Sequence, residues 1–231
     1  MKVDPRPIVA EFVGTFALTF VGGAAIINGY VAAAATPLID VAVAHGLILA
    51  LLVTATMRIS GHLNPAVTIG IAVTRRISPS TAAIYIVSQL AGAVVAALAL
   101  KALYPAAAAQ AARLGGQWVS TSVSTSQAIV FEAIATFFLV FMVFGTAVDP
   151  RGPKVGGFAI GLTIAADIIA IGPATGGSMN PARSFGPALV SGVFEGHLVY
   201  WIGPILGAVA AGLLYDRVFL RGESAVAESG A

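Results

Sequence analysis

The chain has no cysteine among its 231 residues, which excludes a disulfide framework and a thiolate metal site and leaves a mercurial no thiol to attack. Charge is scarce too. Lys and Arg number 12 and Asp and Glu 10, so 10% of residues are charged, where a soluble domain carries about 25%. The three histidines, His45, His62 and His197, are scattered and form no metal cluster. No Ser-His pair or His-Glu motif stands at helical spacing, which removes the usual sets of an intramembrane enzyme. There is no basic-aromatic patch for a nucleic acid, and nothing in the sequence implies a cofactor.

What is present is apolar. Hydrophobic residues make up 58% of the chain, and runs long enough to cross a bilayer, which takes about 20 helical residues, fall at about 8–28, 38–58, 80–103, 126–148, 155–173 and 197–219. The first run follows Lys2 and Arg6 but is too long for a signal peptide, carries Glu11 and has a counterpart later in the chain, so it belongs to the mature protein. Orientation follows from the cations. With both termini cytoplasmic, Lys2, Arg6, Arg58, Arg75, Arg76, Arg151, Lys154, Arg217 and Arg221 lie inside against Lys101 and Arg113 outside, as the positive-inside rule requires. The pI near 9.2 expresses this asymmetry.

The sequence also repeats itself. AEFVGTFALTFVGG from Ala10 matches FEAIATFFLVFMVFG from Phe131, pairing Glu11 with Glu132, and QLAGAVVAALAL from Gln89 matches PILGAVAAGLLY from Pro204. Each half holds one Asn-Pro-Ala: Asn64, Pro65, Ala66 and Asn180, Pro181, Ala182. Three spans per half is odd, so the halves enter the membrane in opposite senses, an inverted repeat of about 8–111 and 128–219 with an exterior loop at about 112–127 and a short disordered tail at 220–231. All of 1–231 is then one channel domain.

After each Asn-Pro-Ala comes an apolar stretch too short to cross, VTIGIAVT and RSFGPALV, each preceded by a Gly-rich turn. Asn as N-cap and Pro in the first turn start a helix. Two such half-helices entering from opposite faces would direct their positive N-termini at one point near the midplane. The turns before them offer backbone carbonyls at Gly61, His62, Gly176, Gly177 and Ser178. A lane of acceptors with two central Asn donors suits a file of water, because stripping water without replacing its hydrogen bonds costs several kcal/mol.

On the paired Asn-Pro-Ala, the segments SGHLNPAVT and NPARSFGPA and the two repeat-matched glutamates, nearly the whole chain resembles the aquaporin (major intrinsic protein) family. The resemblance implies an all-α membrane protein of six membrane helices plus two re-entrant half-helices, a pore in each subunit and a homotetramer in the lipid. It implies structural roles for buried Glu11 and Glu132. Ala42 with Gly46, Gly157 with Gly161 and Gly203 with Gly207 have the small-residue spacing of close helix contacts.

Ser184, Ala188 and Tyr200-Trp201 follow the water-channel branch of that family rather than the glycerol/small-polyol facilitators, which are the alternative. The narrow filter carried over is His45, Ile168, Gly177 and Arg183. Alignment on Asn64 would put Ala44 at the first of these positions; an ionisable ring in an apolar span needs a polar partner or a water-filled cavity, which favours His45. This filter resembles that of a plant vacuolar-membrane group that passes ammonia as well as water, without that group's exterior-loop histidine. The implied function is a passive channel for water, with ammonia or other small neutral solutes, that excludes ions and protons. A coupled secondary transporter would need charges inside the spans, where Glu11, Glu132, His45 and Asp167 are the candidates; Asp167 either pairs with a filter or loop group or faces a neighbouring subunit. Short loops and the lack of a targeting tail point to a plasma or inner membrane.

Overall fold

The computed structural model describes residues 4–34 and 36–220. Lys2, Arg221 and the tail after it lie outside the described residues. The long helices are α1 (Pro5–Val31), α2 (Leu38–Thr56), α4 (Pro79–Leu103), α6 (Thr125–Val143), α7 (Phe158–Thr175) and α9 (Val199–Tyr215), and the short ones α3 (Pro65–Val73), α5 (Ala106–Ala111) and α8 (Pro181–Ser191). A π-helical turn extends α6 over Phe144–Val148 and another extends α9 over Asp216–Leu220. Six of these helices are long and apolar enough to cross a bilayer, and this is an all-α, multi-pass membrane protein.

Helix starts are set by capping. Asp4 accepts from the Arg6 amide at 3.0 Å with Pro5 at the first helical position, Ser78 does the same for α4, and Ser124 with Gln127 forms a capping box for α6. These caps explain why α1 begins at Pro5, three residues before the apolar run. The fifth span begins later than its run, at Phe158 rather than 155. Gly156 sits at φ +59°, and the Gly157 amide donates to Thr54 Oγ1 at 2.9 Å, so the chain turns before the helix starts. The expected exterior loop 112–127 holds a 3-10 turn at Arg113–Gly115, and its last three residues are already helical.

The packing repeats in the two halves and joins them through one further pair. α1 lies on α4 as α6 lies on α9, and α2 lies on α7. Small residues allow the closest approaches: a Cβ on Gly161 would strike the Gly46 carbonyl, and one on Gly207 the Ala133 carbonyl. The short helices α3 and α8 each dock on the last long helix of the other half. In α3, Gly70 meets the Ala208 carbonyl of α9 and in α8, Gly186 meets the Ala93 carbonyl of α4. Outward faces carry Leu51, Val87, Val95 and Phe138, all exposed, as lipid contact requires. At the end where α6 and α9 finish, Arg76 pairs with Asp216 at 2.8 Å and Arg151 with Asp149 at 2.8 Å. The Arg151 guanidinium holds the Asp149 carboxyl down at about 2.

Candidate functional site

The two short helices meet N-terminus to N-terminus. At 1.5 Å per residue, their 9 and 11 residues measure about 14 and 17 Å, together the roughly 30 Å of a hydrocarbon core. Asn64 Oδ1 accepts the Ala66 amide (2.8 Å), and Asn180 Oδ1 accepts those of Ala182 (3.0 Å) and Arg183 (3.3 Å). Each asparagine then reaches across: Asn64 Nδ2 donates to the Met179 carbonyl at 2.7 Å and Asn180 Nδ2 to the Leu63 carbonyl at 2.9 Å. An amide nitrogen has two N–H groups, so one on each asparagine remains for another acceptor.

The residues before the asparagines explain the crossing. Leu63 (φ +52°) and Met179 (φ +53°) are both fully buried in the left-handed region, uncommon for bulky side chains. Glutamates hold them there. Glu11 accepts the amides of His62 (2.9 Å) and Leu63 (2.6 Å) and the Ser60 hydroxyl. Glu132 accepts those of Ser178 (2.9 Å) and Met179 (2.6 Å) and the Thr175 hydroxyl (2.7 Å). Gly14 leaves room for the Leu63 side chain. With its amide fixed, each left-handed residue presents its carbonyl to the opposite asparagine.

Along the junction runs a narrow cavity with about 20 Å³ open to the centres of water molecules, about the minimum that holds one water. Its lining includes His45, Gly61, His62, Asn64, Ile168, Ser178, Asn180 and Arg183 among apolar side chains. His45 is 1% exposed. Its Nδ1 donates to the Val41 carbonyl at 2.7 Å, which leaves Nε2 as the acceptor of the neutral ring, without a partner among the described residues. The ring occupies the space where a Gly22 side chain would be, whereas Ala44 does not line the cavity. Arg183 donates from Nη1 to the Gly177 carbonyl at 3.3 Å, and its buried Nη2 has no partner among the described residues. Gly177, at φ +59°, rests against Ile168. His45, Ile168, Gly177 and Arg183 are therefore brought together, and the turns bearing the Gly61, His62, Gly176 and Ser178 carbonyls lead to the two asparagines.

A family model described as Major intrinsic protein matches residues 3–215. The chain belongs to that family. It is 42% identical over 224 residues to Aquaporin TIP4-4 of Zea mays, covering 93% of this chain and 87% of that one, and 45% identical over 224 residues to Aquaporin TIP1-2 of the same plant (93% and 86%). Against Aquaporin TIP2-1 of Arabidopsis thaliana identity is 42% (93% and 88%). Among solved structures it resembles the aquaglyceroporin from Plasmodium falciparum, with a TM-score of 0.81, 25% identity and coverage of 94% of this chain and 97% of that one.

Within this major intrinsic protein, several contacts lie outside the motif residues. Gln89 Nε2 donates to Glu11 Oε2 at 2.6 Å and to Thr68 Oγ1 at 2.9 Å, a tie that Pro204 cannot supply to Glu132 in the second half. A glutamine inside an apolar span is itself a signal, since it needs a partner there. Ser184 donates to Gln117 Oε1 at 2.5 Å, joining the exterior loop to α8. The His62 ring bonds Thr68 Oγ1 at 3.1 Å and packs edge-on against Tyr85, bracing its turn. Asp167 is 8% exposed, and its Oδ2 has no hydrogen-bond partner among the described residues. His197 accepts from Trp201 Nε1 at 3.1 Å at the foot of α9, away from the cavity.

Proposed function

We propose that this family member is a passive channel for water that also passes ammonia and excludes ions and protons. One observation carries the reading: two buried polar atoms, His45 Nε2 and Arg183 Nη2, lack partners among the described residues while both residues line one narrow cavity. A buried polar group without a partner costs about 1–3 kcal/mol, and a passing molecule that bonds both relieves that cost. Water fits, donating to Nε2 and accepting from Nη2. Ammonia fits as well, with a lone pair for Arg183 and N–H groups for His45, and the apolar Ile168 wall imposes no further demand. Glycerol must also place a carbon backbone, and Gly177 offers no side chain to hold it.

Exclusion of cations follows from the Arg183 charge and the two opposed helix N-termini, each equivalent to about half an elementary charge. The spare N–H groups of Asn64 and Asn180 turn the central water so that it accepts from both, which interrupts a proton wire. In this reading the lane runs between the inverted halves, and Glu11 and Glu132 serve a structural role. The exposed apolar helix faces fit a homotetramer in lipid, with both termini cytoplasmic in a plasma or inner membrane.

The test is solute entry into proteoliposomes that hold an internal pH dye, after a jump in ammonium chloride, alongside glycerol uptake. Ammonia entry several-fold above that of empty vesicles, with glycerol unchanged, is expected. A His45→Phe, Ile168→His variant should keep water flow and lose most of the ammonia component. Ammonia entry equal to that of empty vesicles in the wild type would remove ammonia from the reading, and rapid glycerol uptake would favour the polyol facilitator instead.

A further inference from the structure

Outside the filter lies a second, far larger space. It has about 610 Å³, against about 20 Å³ at the filter, and its floor is formed by Ile168 and Gly176. The walls come from the end of α1 (Tyr30), the α1–α2 connection (Thr36) and the exterior loop (Gln117, Trp118). This volume falls in the range of pockets for drug-sized molecules, roughly 300–1,000 Å³.

The lining chemistry narrows the occupant. No Asp, Glu, Lys or Arg is among the described residues lining the cavity, so an ion entering it would lose water without gaining a counter-charge. Arg113 stacks over the Trp118 ring at 5.9 Å without joining the lining. Trp118 and Tyr30 are each 45% exposed, so their rings keep open surface. Gln117 presents its Cβ and Cγ to Gly176, while its amide is held by Ser184 through Oε1 and by the Gly115 carbonyl at 3.2 Å. Two aromatic walls and an otherwise largely apolar lining suit a flat neutral molecule.

We infer that this vestibule is a binding site for neutral, ring-bearing alcohols or amides, which settle over Ile168 and obstruct the lane because they are too large for the filter beneath. The obstruction rests on the channel reading above; the binding does not.

The experiment uses the full chain in proteoliposomes with Trp201→Phe, which leaves Trp118 as the sole tryptophan, since the sequence has two. The probe is 4-nitrobenzyl alcohol, a neutral quencher of indole fluorescence, and the matched control is the 4-nitrobenzoate anion. Saturable quenching by the alcohol, reversed by non-quenching benzyl alcohol and at least tenfold weaker for the anion, is expected. Osmotic water flow should fall along the same saturation curve. An Ala34→Phe variant, which fills the cavity from the α1–α2 connection, should keep its water flow and bind the alcohol at least tenfold more weakly. Quenching that never saturates, that benzyl alcohol does not reverse, or that the anion matches would overturn the site. Saturable, reversible quenching with undiminished flow would overturn its placement over the lane. Absence of flow before any probe is added contradicts the channel reading alone, and the fluorescence titration then decides the site by itself.

Discussion

At the residue scale, the centre depends on two carboxylates that are not part of the Asn-Pro-Ala motif. Glu132 Oε1 and Oε2 each accept a backbone amide and so fix the left-handed Met179 whose carbonyl receives Asn64. A glutamine at 132 has one acceptor oxygen and would turn an NH₂ towards the other amide, setting donor against donor. Glu132→Gln should lower stability by about 2 kcal/mol or more, given the worth of charge-assisted bonds and the cost of orphaned donors. Thermal unfolding of the purified protein in micelles should register this, and osmotic water flow in proteoliposomes should slow; a variant as stable as the wild type would contradict the clasp. The repeat matching of Glu11 with Glu132 makes this pair legible in the sequence. Leu63 and Met179 are not legible, because nothing in a bulky residue announces a positive φ that tertiary contacts impose.

A second residue-scale consequence concerns pH. His197 stands ahead of the last span, and partial burial lowers its pKa below the ordinary 6.5 while its ring accepts from Trp201. The unfolded chain therefore binds the proton more readily, so this contribution to stability is complete above about 6.5 and is lost as pH falls through the lower folded value. In a Trp118→Phe background, Trp201 fluorescence should change on acidification with a midpoint below 6.5. A midpoint at or above 6.5 would show that the ring is not desolvated as described.

At the scale of elements, apolar length locates all six spans, and the differences at their ends come from local chemistry. Caps carry α1 back to Pro5, and the left-handed Gly156 delays α7 to Phe158. Which small residues touch is harder to read, because spacing marks a face without naming the helix that meets it. Gly161 and Gly46 prove to be mutual contacts between α2 and α7, elements from different halves. Gly161→Val would force these helices apart. Overpacking of this kind costs about 1–3 kcal/mol, so the variant should unfold in micelles at a clearly lower temperature, while Leu162→Val, on an outward face, should not. Equal losses for the two variants would mean that the small-residue contact does not set the helix spacing.

For the molecule as a whole, the two halves complete each other. The helices α3 and α8 each dock on a long helix of the opposite half, and each asparagine bonds the opposite loop, so neither half holds the lane alone. That mutual completion underlies the central claim, that the lane admits water while opposing charge. The most direct test is stopped-flow light scattering on proteoliposomes given an osmotic step with no ion or proton gradient, with an internal pH dye read in parallel under a separately imposed pH difference. The account predicts shrinkage many-fold faster than that of empty vesicles and a pH difference that decays no faster than theirs. Shrinkage at the rate of empty vesicles, or a pH difference that collapses as water flows, would contradict it.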